Sequence, residues 1–348
     1  MKTKKTGILG LVLVLCTLFL CACQEKQSDV RDKVLIGVTY YNQSDTFLNE
    51  MISSLKQQLQ EFESDGIETA ITIRDAAGSQ RTQNDQVREL IDAGCNVLCV
   101  NLVDRADPPE IIDLARECDV PIIFFNREPV AEDMMQWDRL YYVGADARQS
   151  GVMQGEIAAE MIQNDHTIDR NRDGKIQYVV LEGEPGHQDA IVRTESSVDT
   201  LKANGVELEK ISCQIANWNR AQAQNRMEQM IGQYGSQIEL VFANNDDMAL
   251  GAIDAYDRLD VTESALPVFF GIDGTDVGLQ AVVDGKLSGT VYNDKEGQAK
   301  AIAQLAVAIV SGQGLNEISF ENGKYIYLPY SKITAENVGD YIRRRKAE

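Results

Sequence analysis

The chain has 348 residues, with 54 acidic against 33 basic side chains and a formal charge of −21 at pH 7. That balance leaves no basic patch for a nucleic acid or for an anionic membrane face. Only two histidines are present, His166 and His187, which excludes multi-histidine catalysis and zinc sites built on imidazole.

At the N-terminus Lys2, Lys4 and Lys5 precede an uncharged run over 7–22, then Cys23 and a polar Gln-Glu-Lys-Gln. A membrane-crossing helix needs about 20 apolar residues, so residues 1–22 are expected to form a signal peptide. Leu20-Cys21-Ala22-Cys23 resembles a bacterial lipobox, with a small residue ahead of the cysteine. Cys23 is therefore the candidate for acylation, which would tether the protein to the outer face of the cell membrane. Cleavage of an ordinary secretory signal nearby is the alternative. Loss of 1–22 removes three lysines and no acid, so the charge falls from −21 to −24. A polar linker over 23–33 follows. Beyond it Cys95, Cys99, Cys118 and Cys213 lack paired spacing and are expected to be buried free thiols.

From residue 34 onward apolar, strand-like runs alternate with helical periodicity. Strands are expected over 34–41, 70–74, 97–103, 120–126 and 140–144, then 177–181, 211–215, 240–244, 267–272 and 289–292. Between them Phe47, Met51, Ile52, Leu55 and Leu59 recur at three- to four-residue spacing, as do Val87, Leu90 and Ile91, and later Met227, Met230 and Ile231. Such alternation predicts an α/β fold of parallel sheets flanked by helices. About 315 residues suffice for two lobes of ordinary size.

Ahead of the sixth strand stands Asp169-Arg170-Asn171-Arg172-Asp173-Gly174-Lys175-Ile176-Gln177. Oxygen side chains occupy positions 1, 3, 5 and 9 of this stretch, glycine occupies position 6, and Lys175 at position 7 offers only its carbonyl, as a calcium loop requires. Position 12 is Val180 within a strand, so no helix-loop-helix hand is formed and the last carboxylate must come from elsewhere. An acidic, solvated turn is the alternative.

Polar side chains gather at the carboxyl ends of the expected strands, where parallel sheets place their ligands. They are Asp45 and Phe47, Asn126 and Arg127, His187, Asp189 and Arg193, Trp218, Asn245 with Asp246, Asp273, and Asn293. Any one of them could be a turn residue or helix cap, and Trp218 alone could be core filler. Together, carboxylates, amides and an arginine engage both faces of hydroxyl groups, and two aromatics suit the apolar faces of a pyranose.

Ile36-Gly37-Val38-Thr39, Phe124-Phe125-Asn126-Arg127-Glu128-Pro129, Gly183-Glu184-Pro185-Gly186-His187, Ala243-Asn244-Asn245-Asp246 and Gly289-Thr290-Val291-Tyr292-Asn293-Asp294 are similar to segments of the bacterial galactose/glucose-binding proteins, in order, over 34–330. The resemblance implies a periplasmic-binding-protein-like type I fold, with two doubly wound parallel-sheet lobes joined by a three-crossing hinge near Ala145, Asp294 and Tyr327. The lobes would be 34–145 with 294–327, and 146–293 with 328–348. It implies a sugar ring between Phe47 and Trp218, hydrogen-bonded by Asp45, Asn126, His187, Asp189, Arg193, Asn245, Asp273 and Asn293, with Arg127 where the family has lysine. It also implies a calcium ion held by Asp169, Asn171, Asp173, the Lys175 carbonyl and Gln177, completed by Glu239, with Arg170 and Arg172 lowering its affinity.

The expected function is a lipid-anchored receptor that binds D-galactose or D-glucose by hinge closure and delivers it to an ABC transporter permease. The alternative is the same receptor serving a chemoreceptor or sensor kinase. No enzyme is expected: a glycosidase needs two carboxyl groups set about the scissile bond, and no such pair is marked. The chain also lacks a Gly-x-x-x-x-Gly-Lys-Ser/Thr loop, so transport would draw on a separate ATPase.

Overall fold

The computed structural model describes residues 33–347. The expected signal peptide, Cys23 and nearly all of the linker lie outside the described residues. The chain begins with β1 (Val34–Tyr40), α1 (Thr46–Ser64), β2 (Thr69–Asp75), α2 (Gln80–Asp92), β3 (Val97–Val100), α3 (Pro109–Glu117), β4 (Ile122–Phe125), the short α4 (Ala131–Met134) and β5 (Leu140–Gly144). Next come α5 (Ala147–Asn164), β6 (Ile176–Glu182), α6 (Gln188–Ala203), β7 (Leu208–Ile215), α7 (Arg220–Tyr234), β8 (Leu240–Ala243), α8 (Asp246–Arg258), β9 (Val268–Phe270), α9 (Asp276–Val283) and β10 (Thr290–Asn293). The last segment supplies α10 (Lys295–Ser311), β11 (Tyr325–Tyr327), β12 (Tyr330–Ile333) and α11 (Val338–Ala347).

Among the described residues two parallel sheets result, one per lobe, and a two-stranded sheet of β10 and β12 beside the second. The first runs β11-β5-β4-β3-β1-β2 with every pair parallel. The second runs β7-β6-β8-β9, also parallel. Bridges Phe270–Gly289 and Asp273–Tyr292 set β10 beside it, and β12 lies antiparallel on β10. The central strands β3, β4 and β8 are buried throughout, as parallel strands covered by helices on both faces must be. This is the expected α/β fold in two lobes. The chain changes sheet three times: between β5 and α5, between β10 and α10 (which packs on α1 and β1), and between β11 and β12.

Expectation and structure part at the end of the chain. β11 and β12 read as no strands in the sequence, because each is only three or four residues long and Leu328-Pro329 separates them. Pairing with β5 and β10 makes them strands. The strand expected over 120–126 stops at Phe125, since Asn126 turns into the left-handed region with φ 59°. Cys95 and Cys99 are buried thiols, whereas Cys213 is half-buried and Cys118 is exposed. The expectation of burial fails for Cys118 because it caps α3 on the solvent side.

One helix contact bears directly on the site. A Cβ on Gly151 of α5 would lie 2.0 Å from Ser196 Oγ and 2.7 Å from the Arg193 carbonyl, and one on Gly155 would lie 2.5 Å from the Ser197 carbonyl. Glycine at both positions lets α5 approach the α6 backbone, so the turn carrying Arg193 is fixed by close packing.

Candidate functional site

Strand ends pass into helices here through caps, and several capping side chains also face the space between the lobes. Asp45 caps α1 by accepting from Leu48 N at 2.9 Å through Oδ1, while its Oδ2 accepts from the Tyr41 hydroxyl at 2.7 Å. His187 caps α6 with Nδ1, which accepts from Asp189 N at 3.2 Å, so its ring proton sits on Nε2. Asn245 caps α8 by accepting from Met248 N at 2.9 Å. Asn126, Trp218 and Asp273 adopt φ of 59°, 61° and 115°, conformations that non-glycine residues rarely take. Strain of this kind concentrates at functional sites.

These residues converge on one pocket between the lobes, tightly closed in this structure. The first lobe lines it with Tyr41, Asp45, Phe47, Asn126 and Arg127, and the second with His187, Asp189, Arg193, Trp218, Asn245 and Asp273. The lobes are closed over it. Across the gap, Thr46 donates to Asp247 Oδ2 at 2.7 Å, Arg127 pairs with Glu184 at 3.0 Å, and Glu50 of α1 accepts from the first amide of α9, Asp276 N, at 3.0 Å. The fully buried Lys295 joins this last contact, 2.7 Å from Glu50 and 3.5 Å from Asp276, and donates to the Gly274 carbonyl at 3.0 Å.

Within the cavity Arg193 is the central cation. It donates to the Asn244 carbonyl at 2.7 Å and to the Tyr330 hydroxyl at 3.2 Å, and pairs with Asp273 at 3.5 Å. Its Nε is buried without a hydrogen-bond partner, as is Trp218 Nε1. Burial pushes the Asp273 carboxyl well up despite Arg193, with Asp246, Asp45 and Asp247 adding to the rise. Burial likewise raises Asp189 against the pull of Arg193, Arg127 and Arg105. For His187, burial followed by repulsion from Arg127 and Arg193 holds the imidazole well below its ordinary range, so it is neutral. The His187 ring meets the Trp218 ring edge-on at 5.1 Å. The result is a dry wall of acceptors and donors beside two aromatic faces.

Two sequence expectations change. Asn293 does not line the cavity: its Oδ1 accepts from Gln298 Nε2 at 2.6 Å, and its amide N donates to the Asp273 carbonyl at 3.0 Å, which sets it behind Asp273. Arg127 does line the cavity, but both of its terminal nitrogens are engaged by protein. Nη1 donates to the Val103 carbonyl at 2.7 Å, Nη2 meets Glu184, and the guanidinium lies 3.6 Å from the Tyr41 ring centroid.

Three supporting residues escape sequence reasoning. Tyr41 ends an apolar run and looks like strand. Asn101 is fully buried and donates to Asn126 Oδ1 at 3.1 Å, although a polar residue at the end of β3 carried the same signal as the others. Tyr330 belongs to the unforeseen β12.

The loop over 169–175 ahead of β6 closes on itself. Asp169 accepts from Asp173 N at 3.2 Å and Gly174 N at 2.9 Å, Asn171 Oδ1 accepts from Asp173 N at 2.8 Å, and Gly174 has φ 81°. Glu239, buried at the start of β8, accepts from Arg170 N at 2.7 Å, Asn171 N at 3.3 Å and Gln177 N at 3.2 Å. The remote carboxylate therefore meets the loop. Among the described residues no three His, Cys, Asp or Glu side chains cluster as a metal site. Here the amides of Asn171 and Gln177 donate to Asp173 at 3.3 Å and 2.9 Å, and a cation would need their oxygens turned inward. Arg170 does not crowd the loop with charge: its guanidinium donates to the carbonyls of Leu266, Ser236 and Ile238.

Residues 36–314 match the model for the periplasmic binding protein domain. The D-galactose/methyl-galactoside binding periplasmic protein MglB of Haemophilus influenzae is 34% identical over 343 residues, 98% of this chain and 100% of its own. The ribose import binding protein RbsB of Salmonella typhimurium is 26% identical over 246 residues, 71% of this chain and 76% of its own. A solved ABC transporter solute binding protein from Bacillus halodurans with bound myo-inositol has a TM-score of 0.73 at 28% identity, covering 89% of this chain and 97% of its own. One from Actinobacillus succinogenes with bound D-allose has a TM-score of 0.74 at 19% identity, covering 88% and 99%, which is a likeness of fold. On the family match and the full-length relative, the chain belongs to the periplasmic binding protein domain family.

Proposed function

We propose that this protein is an extracytoplasmic sugar receptor that closes its lobes around a hexose of the galactose/glucose type and presents it to an ABC importer. The observation that carries the reading is the cavity wall. Asp45 and Asn126 of one lobe face Asp189, Arg193 and Asp273 of the other, beside Phe47 and Trp218. A polyhydroxylated ring offers a hydroxyl to each acceptor and an oxygen to the unpartnered Arg193 Nε, with apolar faces left for the aromatics. Because both lobes contribute, a ligand spanning them favours the closed state, and a membrane partner can select that state. The 34% identity to a D-galactose/methyl-galactoside binding protein supports a hexose.

The loop and Glu239 support a calcium ion held by Asp169, Asn171, Asp173, the Lys175 carbonyl, Gln177 and Glu239, where it would brace the second lobe. Acylation at Cys23 would tether the receptor at the membrane, and a chemoreceptor or sensor kinase reading the same closed form is a further partner.

Titration calorimetry with galactose, glucose, ribose and myo-inositol tests the reading. Both hexoses should bind, and ribose should bind more weakly, because buried polar groups left unpaired cost about 1–3 kcal/mol each. Ribose or myo-inositol bound in preference to both hexoses would assign the receptor to another ligand.

A further inference from the structure

We propose that Tyr41 is a positioning residue for ligand binding: clamped by Arg127, which Glu184 holds from the other lobe, it fixes the Asp45 carboxylate in the cleft. The proposal rests on the reading of the cleft as a sugar site. Asp45 carries two oxygens and about four acceptor directions. Leu48 N takes one on Oδ1 at 2.9 Å, and the Tyr41 hydroxyl takes one on Oδ2 at 2.7 Å. Both carboxylate oxygens are thereby tied down, and only their remaining lone pairs face the cavity. Without the second tie the carboxylate would pivot about its cap and spread those directions.

Tyr41 is itself held. Its backbone amide donates to Asn101 Oδ1 at 3.2 Å, and its ring lies under the Arg127 guanidinium at 3.6 Å. Stacking at this distance in a buried place is attractive and orients both planes. Arg127 is locked in turn by the Val103 carbonyl at 2.7 Å on its own lobe and by Glu184 at 3.0 Å on the other. Glu184 belongs to the other lobe, so lobe closure would complete the clamp and stiffen the first-lobe carboxylate. Burial, followed by the charge of Asp45, pushes the Tyr41 hydroxyl far above its ordinary range, so it remains a donor throughout the physiological span. A lysine in place of Arg127 cannot stack as a plane and hold two acceptors in fixed directions.

The test is a double-mutant cycle read by calorimetry with galactose and glucose. Asp45→Ser keeps a good helix cap while removing the oxygen that Tyr41 holds. Tyr41→Phe should weaken hexose binding about tenfold in the wild-type background and by less than about twofold in the Asp45→Ser background. Glu184→Gln should reproduce part of the first loss and none in the Asp45→Ser background. Equal losses from Tyr41→Phe in both backgrounds would show an effect that bypasses Asp45 and overturn the proposal. Full affinity in Tyr41→Phe would overturn it as well. Wild-type protein that binds none of the sugars would instead overturn the sugar reading on which it rests.

Discussion

Gly183 lies directly against Trp218: a Cβ at residue 183 would stand 2.1 Å from the indole ring. The glycine at the end of β6 is thus a floor that lets the ring lie flat on the cavity wall, and Trp218 adopts φ 61° to reach it. Gly183→Ala should displace the ring and weaken hexose binding by on the order of tenfold, about 1.4 kcal/mol. Calorimetry and the ligand-induced change in tryptophan fluorescence would both register it. Undiminished affinity would show that the ring does not face the ligand.

Arg193 and Asp273 form a buried pair, with side chains only 5% and 8% exposed. Above the raised titration range of Asp273, Arg193→Ala leaves the carboxylate without its cation, and breaking such a pair costs about 3–5 kcal/mol of stability. Protonation of Asp273 relieves that cost, so the deficit against wild type should shrink on acidification. Chemical unfolding at several pH values measures it, and a deficit independent of pH would mean that Asp273 is not the residue left exposed to the loss.

A second acid gives a pH signature of its own. Asp246 is fully buried and accepts from Thr290 Oγ1 at 2.5 Å, Thr275 N at 2.8 Å and Thr275 Oγ1 at 3.2 Å. Burial pushes its carboxyl up to about 7. An unfolded aspartate titrates near about 3.9, so between these values the folded state binds more protons. The stabilisation from this group is full below about 4 and is lost as pH rises through about 7. Asp246→Asn should remove that part of the slope, so the wild-type minus variant difference should fall from pH 4 to 7. An unchanged slope in the variant would place the titration elsewhere.

For the loop over 169–175 the measurement is thermal melting with and without a chelator. Calcium held there at a hundredfold excess over its dissociation constant should stabilise the folded state by about 2.7 kcal/mol. Glu239→Gln should abolish most of the chelator-sensitive shift, since Glu239 is the carboxylate that the structure brings to Arg170, Asn171 and Gln177. A chelator effect of wild-type size in that variant would rule Glu239 out as a ligand.

Much of the cleft was legible because strand ends and helix caps are the same positions in this fold. Asp45 and Asn245 carry the sequence signal of a cap, and the structure uses one atom of each for the cap; at α6 the sequence offers Asp189 as the cap, and the structure uses His187 instead. Asn293 shows the limit of that signal. A polar residue at a strand end has no fixed face until tertiary packing supplies a partner, and Gln298 of α10 supplies one away from the cavity. Tyr41 and Tyr330 stayed hidden for the opposite reason. Each sits in an apolar setting, and its hydroxyl acquires a role only when Asp45 or Arg193 is brought to it. The short β11 and β12 become strands by pairing, which no local pattern announces.

Those two strands also govern when the molecule can fold. β11 and β12 are neighbours in the chain, yet one completes the first sheet and the other lies on the outer edge of the second. A polypeptide made from its N-terminus therefore carries two unfinished sheets until residue 333 has been released. Chains truncated after Phe320 should remain protease-sensitive throughout both lobes, while chains extended to include α11 should become resistant in a single step.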